Sequence, residues 1–505
     1  MHVFAQASAP FVGPPVNWYA LTPLLILLGG ALLLLVASAL LPGRWPAGSY
    51  ALITAVTAGA AMVLAFFLWH DVAKHGPRPI VGAALSLDRF SLFITVTICA
   101  AVFLTALILD DYLRREGLDG AEIYGLMLMA AIGGIVMGSA NDLVVLFLGL
   151  ETLSIALYIM ASSHLRRIQS QEAGIKYFVL GAFASAFFLY GIALMYGATG
   201  STNMTTIAQF MNGTVLLGHS KALFVAGLAL LLFGLAFKVA AAPFHFWTPD
   251  VYQGSPTPVT GFMASAAKAA GFAALLRVFV VTFGSDKVDW RPAMYVIAVL
   301  TLAVGSIFAV VQTDVKRMLA YSSINHAGFI LVGVEAASSR GTQGALFYLL
   351  AYGVMVLGTF GVVTLVSRTG DGATDLSSFR GLASQRPLLA FVLTVFLLAQ
   401  AGVPLTSGFV AKFGVIAAAV DAKDYALAVV AMVAAVIAAY VYLRIIVSMY
   451  LADPQAGDDQ RAPVHVPVSA GLALALALAF TVVVGFLPGF VLDFARDAIP
   501  LRAGG

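Results

Sequence analysis

Long apolar runs separated by short polar stretches dominate the chain. A bilayer crossing needs about 20 apolar residues, and fourteen runs reach or approach that length. The first seven lie at 18–41, 49–69, 89–109, 122–139, 142–163, 175–197 and 221–247. The other seven lie at 257–281, 291–312, 317–335, 342–367, 387–419, 425–451 and 465–489. The longer polar links are 198–220, 368–386 and 452–464, none large enough for a soluble domain, so neighbouring spans are expected to pack antiparallel. Two runs interrupt their own pattern. Run 7 meets Pro243 while apolar residues continue through Phe244, Phe246 and Trp247. Run 12 is far longer than a bilayer needs and holds Gly402, Pro404 and Gly408 in one stretch. Proline removes a backbone donor and clashes with the preceding turn. At membrane depth the freed groups need protein or cavity water. The pattern predicts two broken helices, with water admitted at Pro243 and Pro404.

The breaks fall five spans apart, and a shift by an odd number of helices reverses direction across the membrane. The expected fold class is an all-α polytopic membrane protein. It has about 14 transmembrane helices, two inverted five-helix repeats, and broken helices 7 and 12. The expected divisions are an N-terminal three-helix segment (1–120), a first repeat of spans 4–8 (121–283), a second, inverted repeat of spans 9–13 (284–451), and a C-terminal span 14 (452–505). Interrupted helices at matching positions of two halves point to a transport site.

Composition narrows the class. Of 505 residues, 61% are hydrophobic and 10% charged, with a mean hydropathy of +0.97. Soluble domains carry about 25% charged residues, so a soluble fold is excluded. The net charge of +3 is spread along the chain with no basic block, which points to lipids and not to nucleic acid. The single cysteine, Cys99, excludes an internal disulfide and a CxxC metal or iron–sulfur site. The N-terminal stretch MHVFAQASAPFVGPP has no basic region before its first apolar run, so the first span is expected to be retained. Lysines and arginines in loops and at span edges divide 12 to 10 in favour of N- and C-termini outside.

Nearly every charge sits in a loop or at a span end. Glu151, in span 5, is the only carboxylate near the middle of any run. Lys238 lies in span 7, Lys268 in span 8 and Lys412 in span 12, three of only nine lysines. Arg277 and Arg444 are nearer span ends, where a long side chain can snorkel. A charge at the bilayer centre costs about 2.5–3.5 kcal/mol, so four unpaired ones would cost on the order of 10 kcal/mol. Lysine, unlike arginine, can give up its proton when burial and a movable carboxylate act on it. The choice of lysine at all three central positions favours proton handling; the plain alternative is a fixed buried ion pair of Glu151 with Lys238. His245 follows the first break, and His326 sits in YSSINHAGF beside Ser322 and Ser323, where imidazole and hydroxyls could support a water chain. Each histidine is equally readable as a satisfied packing residue. The HFW stretch offers no second metal ligand at useful spacing, and no cofactor motif stands out, so no catalytic, cofactor or metal site is expected.

Several stretches carry a wider resemblance. FLGLETLSIALYIMA, KVAAAPFHFWTPDVYQGSPTPVTGFMASAAKAAGFAALLR, DVKRMLAYSSINHAGF and AGVPLTSGFVAKF resemble the antiporter-like membrane subunits of bacterial proton-pumping NADH:quinone oxidoreductase, respiratory complex I. SAAKAAGF with Lys268 looks like the N type of that family. Span 12 carries a lysine here, where the M type typically has glutamate, and there is no extended C-terminal helix like that of the L type. The resemblance implies a translocase subunit in the bacterial inner membrane, multi-pass, with both termini periplasmic. It implies M-type and small K-type subunits as neighbours, and FMN, iron–sulfur clusters and quinone in partner subunits. By the same resemblance Glu151 modulates Lys238, Lys268 relays, and Lys412 lies toward the outer exit. Two other readings stay open: a subunit of a multisubunit Na⁺/H⁺ or K⁺/H⁺ antiporter, and a membrane scaffold with static ion pairs.

Overall fold

A computed structural model describes residues 13–40, 45–214, 216–367, 369–452 and 464–499. Arg44, Arg368, Arg461 and Arg502 of the orientation count lie outside the described residues, as do residues 1–12 and most of the 452–464 link. Among the described residues, twelve helices are long and apolar enough to cross a membrane. They supply spans 1–6, the first part of span 7, and spans 8, 9, 11, 13 and 14. Span 10 is the helix Val315–Glu335, whose Lys316, Arg317 and polar centre dilute its hydropathy. Span 12 is two helices, Pro387–Ala401 and Ser407–Asp421. The fold is an all-α multi-pass membrane protein in which every predicted run is helical. Small elements outside the predicted runs include the helices Met204–Gly213 and Gly489–Asp497, the short helix Leu382–Gln385 and the two-residue strands Arg78–Pro79 and Ser86–Leu87.

Local chemistry sets the helix ends. Asp88 and Ser91 form a reciprocal capping box at the start of span 3 (Arg89–Glu116), and Gly117 ends it in the left-handed conformation. Span 5 (Leu143–Ala161) is capped by Asp142, and span 10 by Asp314. These two caps share more than a residue type. Each aspartate accepts a hydroxyl from a threonine 60 residues on, Thr202 at 2.7 Å and Thr374 at 2.5 Å. Each is bridged to the residue after that threonine, Asn203 and Asp375. The backbone N–H groups of Leu143 and Val315 then donate to the carbonyls of Thr202 and Thr374, at 2.9 and 2.8 Å.

Helix neighbours also recur. Span 4 (Glu122–Ser139) packs on spans 5 and 8, as span 9 (Lys287–Val310) packs on 10 and 13 (Tyr425–Leu451). Span 6 (Ile168–Thr199) packs on span 5 and on both parts of span 7; span 11 (Ser339–Val366) packs on span 10 and on both parts of span 12. Spans 8 and 11 lie inside the bundle, span 8 with Lys268 and Arg277 among its buried residues and span 11 with its whole apolar window buried. Span 1 (Thr22–Leu40) buries only 28% of its window, leaving most of its surface apolar and outward.

Both breaks are present, with sharper limits than the sequence pattern implies. The first part of span 7, Gly218–Lys238, stops at the lysine itself, and the helix resumes at Trp247–Gly254. Ala240 between them takes a positive φ of 61°. Two of the backbone groups at this break have protein partners. The Trp247 indole donates to the Phe237 carbonyl at 3.2 Å, and the Ala242 N–H donates to Thr301 at 2.9 Å. In span 12 the turn runs through Gly402 (φ 92°) and Leu405 (φ 66°). Span 8 carries an irregularity the apolar pattern does not reveal: π-helical turns at Met263–Ala267 and Leu276–Thr282, with Lys268 directly after the first.

Candidate functional site

Lys238, the last helical residue before the first break, is 6% exposed. Its ammonium donates to the Ser154 hydroxyl at 2.8 Å and lies 5.9 Å from the centre of the Tyr177 ring. Ser154 is on span 5, and its own hydroxyl donates to the Leu150 carbonyl at 2.5 Å. Glu151 is on the same helix, three residues earlier, half-buried. Its carboxylate accepts from Ser185 of span 6 and makes no ion pair with Lys238. The fixed Glu151–Lys238 pair is therefore not formed; a serine occupies the place where a static ion pair would put a carboxylate.

Span 8 closes on Lys238 through Gly271, one turn past Lys268. A Cβ at Gly271 would stand 3.4 Å from Lys238 Cγ and 2.8 Å from Val239 Cγ1. Lys268 is 3% exposed and donates to both the carbonyl and the hydroxyl of Ser323 on span 10, the latter at 2.6 Å. The Tyr352 ring centre is 5.5 Å from its ammonium.

From Ser323, span 10 presents one residue per turn on the same face: Ser323, His326, Phe329. His326 is buried and satisfied at both nitrogens, by Tyr348 at 2.7 Å through Nδ1 and by Tyr442 at 3.0 Å through Nε2. The Tyr442 hydroxyl also meets Ser322 at 2.5 Å. The Phe329 ring centre lies 4.8 Å from the Lys412 ammonium. Lys412, 5% exposed, donates to the carbonyl of Ala401 at 3.0 Å. That carbonyl is freed by the break in span 12, at the negative end of a helix dipole. The broken helix thus presents an acceptor to a buried cation that, among the described residues, has no carboxylate partner.

The four ionisable residues read from the sequence are thus strung along one interior line through spans 5, 7, 8, 10 and 12. His326, Ser322 and Ser323 join it, between Lys268 and Lys412. His245 does not: it is half-buried in the first break, its Nδ1 without a partner, on no hydrogen bond to the three lysines. The sequence reading missed Ser154, Ser185, Tyr348, Tyr352 and Tyr442. Its one available signal was spacing, since Ser154 stands one helical turn from Glu151.

A second polar cluster closes the ends of spans 3, 8, 10 and 11. Asp371, in the loop after span 11, accepts from Arg167 at 2.9 Å, Tyr112 at 3.1 Å, Thr257 at 2.8 Å and Ser367 at 3.0 Å. Fully buried Lys316 stands 3.6 Å away. Burial pushes the Asp371 carboxyl up, but Lys316, Arg167 and the hydroxyl donors outweigh it and hold the group below the usual carboxylate range. Outside it a cleft of about 610 Å³ is lined by Arg167, Lys176, Asp250, Arg317 and Asp371 among others.

The family model described as NADH:quinone oxidoreductase/Mrp antiporter, TM, matches residues 140–438, which include all four ionisable positions. NADH-quinone oxidoreductase subunit N of Parafrankia sp. is 43% identical over 483 residues, covering 90% of each chain. The subunit N of Salinispora arenicola is 44% identical, covering 87% of this chain and 90% of that one. A chain of respiratory complex I from Thermus thermophilus with bound aureothin superposes with a TM-score of 0.77 at 34% identity, covering 96% of this chain and all of the other. A chain of the Mrp complex from Dietzia sp., at 22% identity and a TM-score of 0.81, shares the fold. On this likeness the chain belongs to the NADH:quinone oxidoreductase/Mrp antiporter transmembrane family.

Proposed function

We propose that this chain is the antiporter-like, proton-translocating membrane subunit of a bacterial NADH:quinone oxidoreductase. Protons reach Lys238 or Lys268 from the inner side, pass along the Ser323–His326 face of span 10, and leave through Lys412. Glu151 adjusts the charge on Lys238 by leaving Ser185 and approaching it. The observation that carries the reading is that Lys238, Lys268 and Lys412 are all buried and held by neutral oxygens. A static pair would use a carboxylate; a neutral acceptor leaves each amine able to keep or release its proton. The magnitudes agree. Moving one charge against 100 mV costs about 2.3 kcal/mol, and one hydrogen bond to a charged group is worth about 1.5–3 kcal/mol. Exchanging a single contact is enough to gate such a step.

Spans 4–8 and 9–13 (121–283 and 284–451) act as inverted repeats, flanked by residues 1–120 and 452–505. The matched Asp–Thr caps and the recurring helix neighbours support this division. The driving reaction takes place on FMN, iron–sulfur clusters and quinone in partner subunits. M-type and small K-type subunits flank the chain in the inner membrane, with both termini periplasmic. The test is Lys238→Ala in the assembled complex, reconstituted in vesicles. Proton yield per electron should fall; an unchanged yield would remove Lys238 from the path.

A further inference from the structure

Beyond Lys412, span 10 continues for six residues from Phe329 to Glu335, about 9 Å along the helix axis. Gly333 on the way lies against span 12, where a Cβ would stand 3.0 Å from Val415 Cγ1, one turn past Lys412. Span 10 therefore leads from the Lys412 ammonium to Glu335 with span 12 beside it. Glu335 is 2% exposed, and its Oε2 is buried without a hydrogen-bond partner. Its Oε1 meets Arg291 Nη2 at 3.0 Å. The same nitrogen meets Asp424 Oδ2 at 2.5 Å, and Arg291 Nε donates to the Glu335 carbonyl at 2.9 Å. Arg291 comes from the start of span 9 and Asp424 from the link between spans 12 and 13. Around the rim Arg340 pairs with Asp421 and not with this group.

One cation thus faces two carboxylates. Glu335 has a 3% exposed side chain and Asp424 a 25% exposed one, so the pair steps from the protein interior toward water. Two ionised carboxylates on one guanidinium nitrogen repel each other, and a proton on the unpartnered Glu335 Oε2 relieves that repulsion and satisfies the orphaned atom.

We propose that Glu335, with Asp424, is the proton-holding group between Lys412 and the aqueous phase on the face where span 10 ends, and that Arg291 positions the pair. The proton leaves the Lys412 ammonium, rests on the Glu335 carboxylate, and passes by Asp424 to water; no other bond changes. This rests on the proton-translocation reading above.

The test uses the assembled complex in vesicles. Glu335→Gln should slow proton transfer at this position about 100-fold or more, the contribution typical of a positioned proton-transfer group, and so lower the proton yield per NADH oxidised. NADH oxidation with an artificial acceptor should be preserved, the dependence of pumping on pH at that face flattened, and a protonated-carboxyl band lost from infrared difference spectra. Glu335→Asp should restore part of the yield. Wild-type yield and pH profile in Glu335→Gln overturn the proposal. If that variant fails to assemble, Asp424→Asn decides: a flattened profile supports the relay, an unchanged one overturns it. Lys412→Ala, measured alongside, separates the two claims. If it leaves pumping intact, the translocation reading fails. If it stops pumping while the Glu335 and Asp424 variants behave as wild type, only the relay fails.

Discussion

Ser154→Ala tests the geometry around Lys238 most directly. Among the described residues the Ser154 hydroxyl is the one hydrogen-bond acceptor for that ammonium, at 2.8 Å, with both side chains buried. The substitution removes one oxygen from a helix interior where alanine is favourable, so assembly should be preserved. The charged form of Lys238 then loses a contact worth about 1.5–3 kcal/mol, which moves its proton equilibrium roughly ten- to hundred-fold toward the neutral amine. Proton yield per electron should fall accordingly, while Ser154→Thr, which keeps the hydroxyl, should pump close to wild type. The assay is proton uptake by vesicles carrying the complex, normalised to NADH oxidised. If Ser154→Ala pumps normally while Lys238→Ala does not, the serine is not what holds the lysine in the working state, and the neutral-acceptor argument is wrong at this site.

Asp371→Asn leaves fully buried Lys316 and partly buried Arg167 without the carboxylate they share, and removing one partner of a buried pair costs about 3–5 kcal/mol, read as a lower thermal midpoint of the purified complex near neutral pH. Because the folded carboxyl sits below the usual range, the stability it gives is present above the unfolded value of about 3.9 and is lost as pH falls through the folded one. The wild type should therefore shed that margin on acidification and Asp371→Asn should not. Gly402→Ala puts a Cβ on a residue at φ 92°, 3.0 Å from Lys412 Cδ. It should destabilise by about 1–2 kcal/mol and slow pumping, and a fully active, equally stable variant would show that the turn is not what sets the Lys412 position.

Much of this was legible in the chain because a bilayer makes spans long and mid-span charges rare. Glu151, Lys238, Lys268 and Lys412 stand out against their neighbours by that contrast alone, and Pro243 and Pro404 mark the breaks. What stayed hidden were the neutral partners. Ser154, Tyr348 and Tyr442 are ordinary residues in a membrane helix, and only packing shows which of them face a lysine. His245 sits in the same break as the turn through Ala240 and makes no direct hydrogen bond to a lysine there. The two breaks were the sequence's argument for a repeat; the structural feature that supports it most is a pair of aspartate caps, each tied to a threonine in a later loop. That pattern has no apolar periodicity and so escapes a hydropathy reading.

Spans 8 and 11 meet no lipid along almost their whole length. Their surroundings are thus written entirely by this chain. A change in acyl length or headgroup reaches Lys268 only by first moving the outer helices, so its immediate environment should be insulated from the host membrane's make-up. The same enclosure sets an order for biogenesis. Span 8, carrying Lys268 and Arg277, is costly to leave in lipid on its own, so its enclosure should follow quickly on the arrival of its neighbours.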